Sequence, residues 1–119
     1  MGPNGIDPSN VVFTLSFHAD VKAGVKAPWS MPGQILWWTN FPPGSFRAVK
    51  EAVDIEEGWY DPPTSNHVYN ADWTCWRYTF PVDPSMAFVQ TGSVENAVTY
   101  WLDVQAAPQG MNPDVKFGW

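Results

Sequence analysis

Between Val11 and His18 apolar and polar side chains alternate without a break. Val11, Phe13, Leu15 and Phe17 fall on one face of an extended chain, and Val12, Thr14, Ser16 and His18 on the other, because successive side chains of a strand point to opposite sides. The alternation returns in residues 72–82, where Trp76, Tyr78, Phe80 and Val82 oppose Cys75, Arg77 and Thr79. It returns again in residues 96–106, where Val98, Tyr100, Leu102 and Val104 share a face. Three such runs predict strands with one buried face. They name a core of Val11, Phe13, Leu15, Phe17, Trp76, Tyr78, Phe80, Val98, Tyr100, Leu102 and Val104. Twelve prolines spread through 119 residues leave little room for helix.

The remaining segments fit the same plan. Residues 1–10, rich in Pro, Gly and Asn, read as a flexible lead-in. Residues 19–33 read as a long loop, 34–39 as a short strand, and 40–45, with Pro42-Pro43-Gly44, as a turn. Residues 46–55 fit either a helical stripe (Phe46, Val49, Val53) or a strand face (Val49, Val53, Ile55); the strands on both sides favour strand. Residues 56–70 read as a loop. Residues 86–91 read as a strand entered through Asp83-Pro84-Ser85, and 115–119 as the start of a last strand. About seven strands separated by turn signals predict an all-β domain over residues 11–119, an antiparallel β-sandwich or jelly roll with little or no helix.

Charge narrows the partners. Charged residues make up 15% of the chain, below the roughly 25% usual in soluble domains. The net charge is -6. Lys22, Lys26, Arg47, Lys50, Arg77 and Lys116 form no sequence cluster, which argues against nucleic acid and against an anionic membrane surface. No stretch approaches the roughly 20 apolar residues of a membrane span. Met1-Gly2-Pro3-Asn4-Gly5 has neither the basic nor the apolar region of a signal peptide, so a mature domain or an excised piece is expected. The single Cys75 excludes an internal disulfide and reads as a buried, inert thiol.

Several strings resemble an uncharacterised family. They are Phe17-His18-Ala19-Asp20, Gly58-Trp59-Tyr60-Asp61-Pro62, Tyr78-Thr79-Phe80, Tyr100-Trp101-Leu102-Asp103-Val104-Gln105-Ala106 and Phe117-Gly118-Trp119. The chain is similar over roughly residues 10–119 to a domain of unknown function found in secreted, multidomain, planctomycete-like bacterial proteins with a PEP-CTERM type sorting anchor. The resemblance implies export to the extracellular space or cell surface and a β-sandwich, and implies no activity. Against that pattern the chain lacks a first Trp-containing strand and a continuation past Trp119. Edge strands are therefore expected to be missing at both ends, leaving sheet edges open to self-association as a homo-oligomer.

Eight Trp in 119 residues is the main compositional anomaly. Large rings fill small cores well, but adjacent Trp37 and Trp38 must point to opposite faces, and Trp29 and Trp59 fall in expected loops. Two or three indoles should therefore reach the surface. Exposed indoles on a weakly charged surface suit stacking on sugar rings, so the expected function is a non-catalytic module for neutral polysaccharide. Its ligand-binding residues would be Trp29, Trp38 and Trp59, with Tyr60 and Asn40 beside them. A protein–protein interface is the alternative, because Trp and Tyr also dominate interface hot spots.

Other chemistries carry weaker signals. His18 and Asp20, two residues apart on one strand face, could join His67 around a transition metal, although a structural role suits His18 better. Asp20, Asp61, Asp72 and Asp103 could converge on a structural calcium ion, against the simpler reading of turn and capping chemistry. No Ser–His–Asp or Cys–His order and no phosphate loop is present, and acidic pairs are too common among twelve acids to mark a glycosidase, so no enzyme is expected.

Overall fold

The structure, a computed structural model, describes residues 7–110, with side chains described outside 54–57, 59 and 70–73. Five strands are found among the described residues: β1 (Val11–Val21), β2 (Met31–Phe41), β3 (Arg47–Asp61), β4 (Asn66–Thr79) and β5 (Tyr100–Pro108). A single 3-10 turn at Pro84–Met86 is the only helix among them. The fold is all-β, as the alternation predicts. No helix among the described residues is long and apolar enough to cross a membrane.

The strands form a three-stranded sheet, β2-β1-β5, and a two-stranded ribbon, β3-β4. β1 and β2 pair antiparallel from Phe13 opposite Phe41 to Val21 opposite Met31. β5 also runs against β1. The Gln109 amide donates to the Asn10 carbonyl (2.9 Å) at one end, and Trp101 reaches Asp20 at the other. Two compact units result. One holds the chain up to Val12, Pro42–Pro81 and the chain from Ala107; the second holds Phe13–Phe41 and Val82–Ala106.

Several expected boundaries move. The loop expected over 19–33 shrinks to Lys22–Ser30, because β1 and β2 run further than their alternation does. A β-bulge at His18 explains this. The register shifts on both sides of His18, and the imidazole bridges the irregularity. Its Nδ1 lies 2.9 Å from the Gly33 carbonyl and its Nε2 3.0 Å from the Ser16 hydroxyl. A carbonyl only accepts, so Nδ1 carries a proton and donates to Gly33, while Nε2 shares its bond with the Ser16 hydroxyl. Gly33 permits the close approach, since a Cβ there would stand 2.8 Å from Val21 Cγ2 and 3.3 Å from the Ala19 carbonyl.

The segment expected as a loop over 56–70 is instead the end of a long hairpin. β3 and β4 stay paired to Asp61 opposite Asn66 and turn through Pro62–Ser65. Ser65 closes the turn in the left-handed region (φ 55°), and the Thr64 hydroxyl donates to the Asp61 carboxylate at 2.6 Å. Residues 46–55 resolve as strand from Arg47. Along the ribbon Arg77 pairs with Glu51, and the Lys50 ammonium sits 5.4 Å above the Trp76 ring. Both contacts are at the surface, where such pairs contribute at most about 1 kcal/mol.

Residues 86–91 are not a strand. Asp83 accepts from the Ser85 amide (2.8 Å) and hydroxyl (2.7 Å), and Pro84 opens the 3-10 turn. These bonds, the hydroxyl first, hold the Asp83 carboxyl below its usual range. The chain then continues irregularly and lays Phe88 on Phe17, centroids 4.7 Å apart, with Tyr100 edge-on to Phe88 at 5.2 Å. Its apolar residues serve ring contacts rather than a strand ladder. Tyr100 is anchored by Thr91, whose hydroxyl lies 2.8 Å from the phenol and, with the Thr91 amide, pulls its pKa down.

Of the expected core, Val11 and Phe13 are buried, joined by Phe41 and Ser16. Leu15, Phe17, Trp76, Tyr78, Phe80, Tyr100 and Val104 are half-buried. Val98 and Leu102 are exposed, a correction to the alternation. β5 starts only at Tyr100, which leaves Val98 outside the ladder, and it turns Trp101 inward, which sends Leu102 to solvent. Residues 7–10 are tied down. Pro8 is buried and its carbonyl accepts from the Tyr78 hydroxyl (2.7 Å), Asn10 Nδ2 donates to the Gln109 carbonyl (2.8 Å), and Asp7 repeats the Asp-Pro-Ser turn of Asp83. Residues 1–6 and the strand expected at 115–119 lie outside the described residues.

Candidate functional site

The adjacent indoles of β2 diverge as strand geometry requires. Trp37 turns toward Phe17 (centroids 5.7 Å apart) and donates from Nε1 to the Met86 carbonyl at 2.9 Å. Trp38 points the other way and is 61% exposed. The register places Trp38 opposite Ser16 and Asn40 opposite Thr14, all on one face of the β1–β2 pair.

Polar side chains on that face are arranged by one another. Thr14 donates from its hydroxyl to the Asn40 side-chain carbonyl at 2.7 Å, which leaves the exposed Asn40 amide nitrogen pointing its two donors elsewhere. Ser16, His18 and the Gly33 carbonyl form the second chain of bonds. An apolar indole face therefore stands between two fixed hydrogen-bonding groups. Further along β1 an open depression of about 390 Å³ is lined by Asp20, Lys22, Leu36 and Tyr100. Asp20 is held there by the Trp101 indole, which donates to its carboxylate at 2.9 Å.

The other expected binding residues lie apart. Trp29, on the loop before β2, is 65% exposed. Trp59 sits in β3 with its backbone opposite Val68, and its side chain lies outside the described residues. Tyr60 is exposed on the hairpin, in the other compact unit from Trp38 and Asn40. Thr14 and Ser16 complete the Trp38 face and were legible as the polar side of the first alternating run. Tyr69 was hidden, because its segment reads as loop; it stands exposed on β4, its ring stacked with His67, which in turn meets Tyr60.

The metal candidates each have local partners. Both ring nitrogens of His18 are bonded, Asp20 takes Trp101, and His67 packs between tyrosines in the other unit. Asp61 accepts from Thr64 and Asp103 from Gln105 (2.8 Å). The Asp72 side chain lies outside the described residues. No three His, Cys, Asp or Glu converge as a metal site among the described residues. Ser16 and His18 have the bond that activates a serine nucleophile, with Nδ1 oriented by a carbonyl. The serine is only 4% exposed, and the pair serves to bridge the bulge. Cys75 is free and half-buried.

No curated protein and no solved structure matches the chain. A family profile does match, over residues 3–119, nearly the whole sequence. The chain belongs to the family described as Domain of unknown function (DUF7901).

Proposed function

We propose that this domain is a non-catalytic, extracellular or cell-surface module that binds neutral polysaccharide, with the Trp38 face as its platform. The observation that supports it is the exposed Trp38 indole beside the Thr14–Asn40 bond. A pyranose ring offers a flat apolar face and a rim of hydroxyls, and this arrangement meets both. Strand backbone holds Trp38, so stacking costs little ordering entropy. The acidic net charge disfavours polyanionic ligands. Trp29 is a second exposed indole within the same compact unit. Export and the multidomain bacterial setting, with its sorting anchor, follow from the family resemblance and complete this reading.

Affinity electrophoresis against a panel of soluble neutral glycans tests it, with Trp38→Ala alongside. One stacked ring contributes on the order of 1–3 kcal/mol by analogy with base stacking, so Trp38→Ala should weaken binding at least about fivefold. Retardation by no glycan would sink the carbohydrate reading. A protein-interaction domain would then take its place, a reading favoured by the exposed apolar residues Val89, Val94 and Leu102.

A further inference from the structure

The β3–β4 register sets Tyr60 opposite His67, and Tyr69 follows two residues along β4 on the same face. Their rings form a continuous strip, with centroids 4.9 Å apart for Tyr60–His67 and 6.2 Å for His67–Tyr69. The strip is open: Tyr60 is 49% and Tyr69 80% exposed, and His67 is exposed as well. On the Tyr60 face of β3 the next residue toward Tyr69 is Gly58, where even a Cβ would press to 3.2 Å from the Val68 carbonyl. Gly58 itself puts no side chain against the Tyr69 ring.

The polar atoms of the strip are unspent. The two phenol hydroxyls and the imidazole nitrogens make no hydrogen bond among the described residues. The cations of the ribbon lie elsewhere. Arg47, Lys50 and Arg77 belong to its opposite end, some ten residues away, which is roughly 30 Å of strand. At the near end stands the carboxylate of Asp61. A phosphate, sulfate or uronate ligand would find no Lys or Arg of the ribbon beside the strip. An uncharged polyhydroxyl ligand finds ring faces and rim donors together.

We infer that the Tyr60–His67–Tyr69 strip is a second contact surface for a neutral glycan, separate from the Trp38 face; the inference rests on the glycan reading proposed above. A linear polysaccharide laid along the hairpin stacks successive sugar rings on Tyr60 and Tyr69 and shares hydroxyl hydrogen bonds with His67.

The test is affinity electrophoresis of the full chain in gels carrying hydroxyethylcellulose, a soluble β-1,3-glucan, galactomannan or xylan. Variants are Tyr60→Ala, Tyr69→Ala, Tyr69→Phe and Trp38→Ala, each checked for an unchanged circular dichroism spectrum. Tyr60→Ala and Tyr69→Ala should each weaken retardation about tenfold, equivalent to about 1.4 kcal/mol. Tyr69→Phe, which keeps the ring, should retain most of the affinity. If both alanine variants bind like wild type while Trp38→Ala is released, the hairpin inference fails and the glycan reading stands. If wild type is retarded in no gel, both fail. Binding of a proline decamer that is lost in Tyr69→Ala, without glycan binding, would reassign the strip to extended peptides and overturn the inference.

Discussion

Replacing Tyr78 by Phe probes how the chain before β1 is fastened. The Tyr78 hydroxyl donates to the Pro8 carbonyl at 2.7 Å, and the ring packs near Phe46 (5.8 Å) and Phe80 (6.4 Å). The substitution keeps the ring and removes the hydroxyl with its bond to Pro8. A net hydrogen bond contributes about 1 kcal/mol, and a buried acceptor left without a donor costs about 1–3 kcal/mol; Pro8 is buried. Tyr78→Phe should therefore cost about 1–3 kcal/mol at neutral pH, and about 3–5 °C of Tm for each kcal/mol. A second signature follows from titration. Burial, and then the negative charge of Asp7, push the Tyr78 phenol up to about 12. A group whose folded pKa is raised contributes stability that is complete below its unfolded value near pH 10. That contribution is lost as pH rises from about 10 to about 12, because the unfolded chain gives up the proton first. The phenol is partly solvated, so screening holds the linked loss to about 1 kcal/mol. Urea unfolding followed by Trp fluorescence at pH 7, 9, 10 and 11.5 would read both effects. The gap between wild type and Tyr78→Phe should be constant up to about pH 9 and narrow above pH 10. A variant as stable as wild type at pH 7, or a gap unchanged to pH 11.5, would refute the reasoning.

Three further outcomes are expected. Gly33→Ala should lose about 1–2 kcal/mol, since its methyl meets Val21 and the Ala19 carbonyl; thermal melts showing no loss would mean that the β1–β2 approach relaxes freely. Trp101→Phe should cost about 1.5–3 kcal/mol by removing the donor to the Asp20 carboxylate, and a double-mutant cycle with Asp20→Asn that shows no coupling would discount that bond. Sedimentation velocity should detect a dimer or larger assembly at high concentration, given that β2 and β5 are the outer strands of the three-stranded sheet among the described residues; a strict monomer contradicts self-association.

What could be read from the sequence was set by one-sided burial. Residues 11–18 alternate because β1 lies in the middle of a sheet with Val11 and Phe13 buried on one face. Among the described residues β3 and β4 form a two-stranded sheet and the residues around its turn are exposed, so Gly58, Asn66 and His67 can stand in strand without a periodic signature. The run around Phe88 erred the other way, since apolar alternation needs a neighbouring strand before it becomes one. The bulge at His18 left no mark in the pattern, because its bonds are made by side chains. The divergence of Trp37 and Trp38 was legible from adjacency alone. The stacking of Tyr60, His67 and Tyr69 was not, since it depends on where the hairpin turns.

The bond from Gln109 to Asn10 brings the entrance and the exit of the β1–β5 pair to one spot. Tension applied through the flanking chain therefore acts across the ladder at its end, opening one bond after another, rather than along it, where many bonds would share the load. Such a domain yields early and pays out its contour length as slack. In series with stiffer domains, it would behave as a weak link that lengthens before they break. Optical-tweezers pulling through residues 10 and 109 should give unfolding at low force with rapid refolding, and resistance matching that of sheared sheets would show that the load travels by another route.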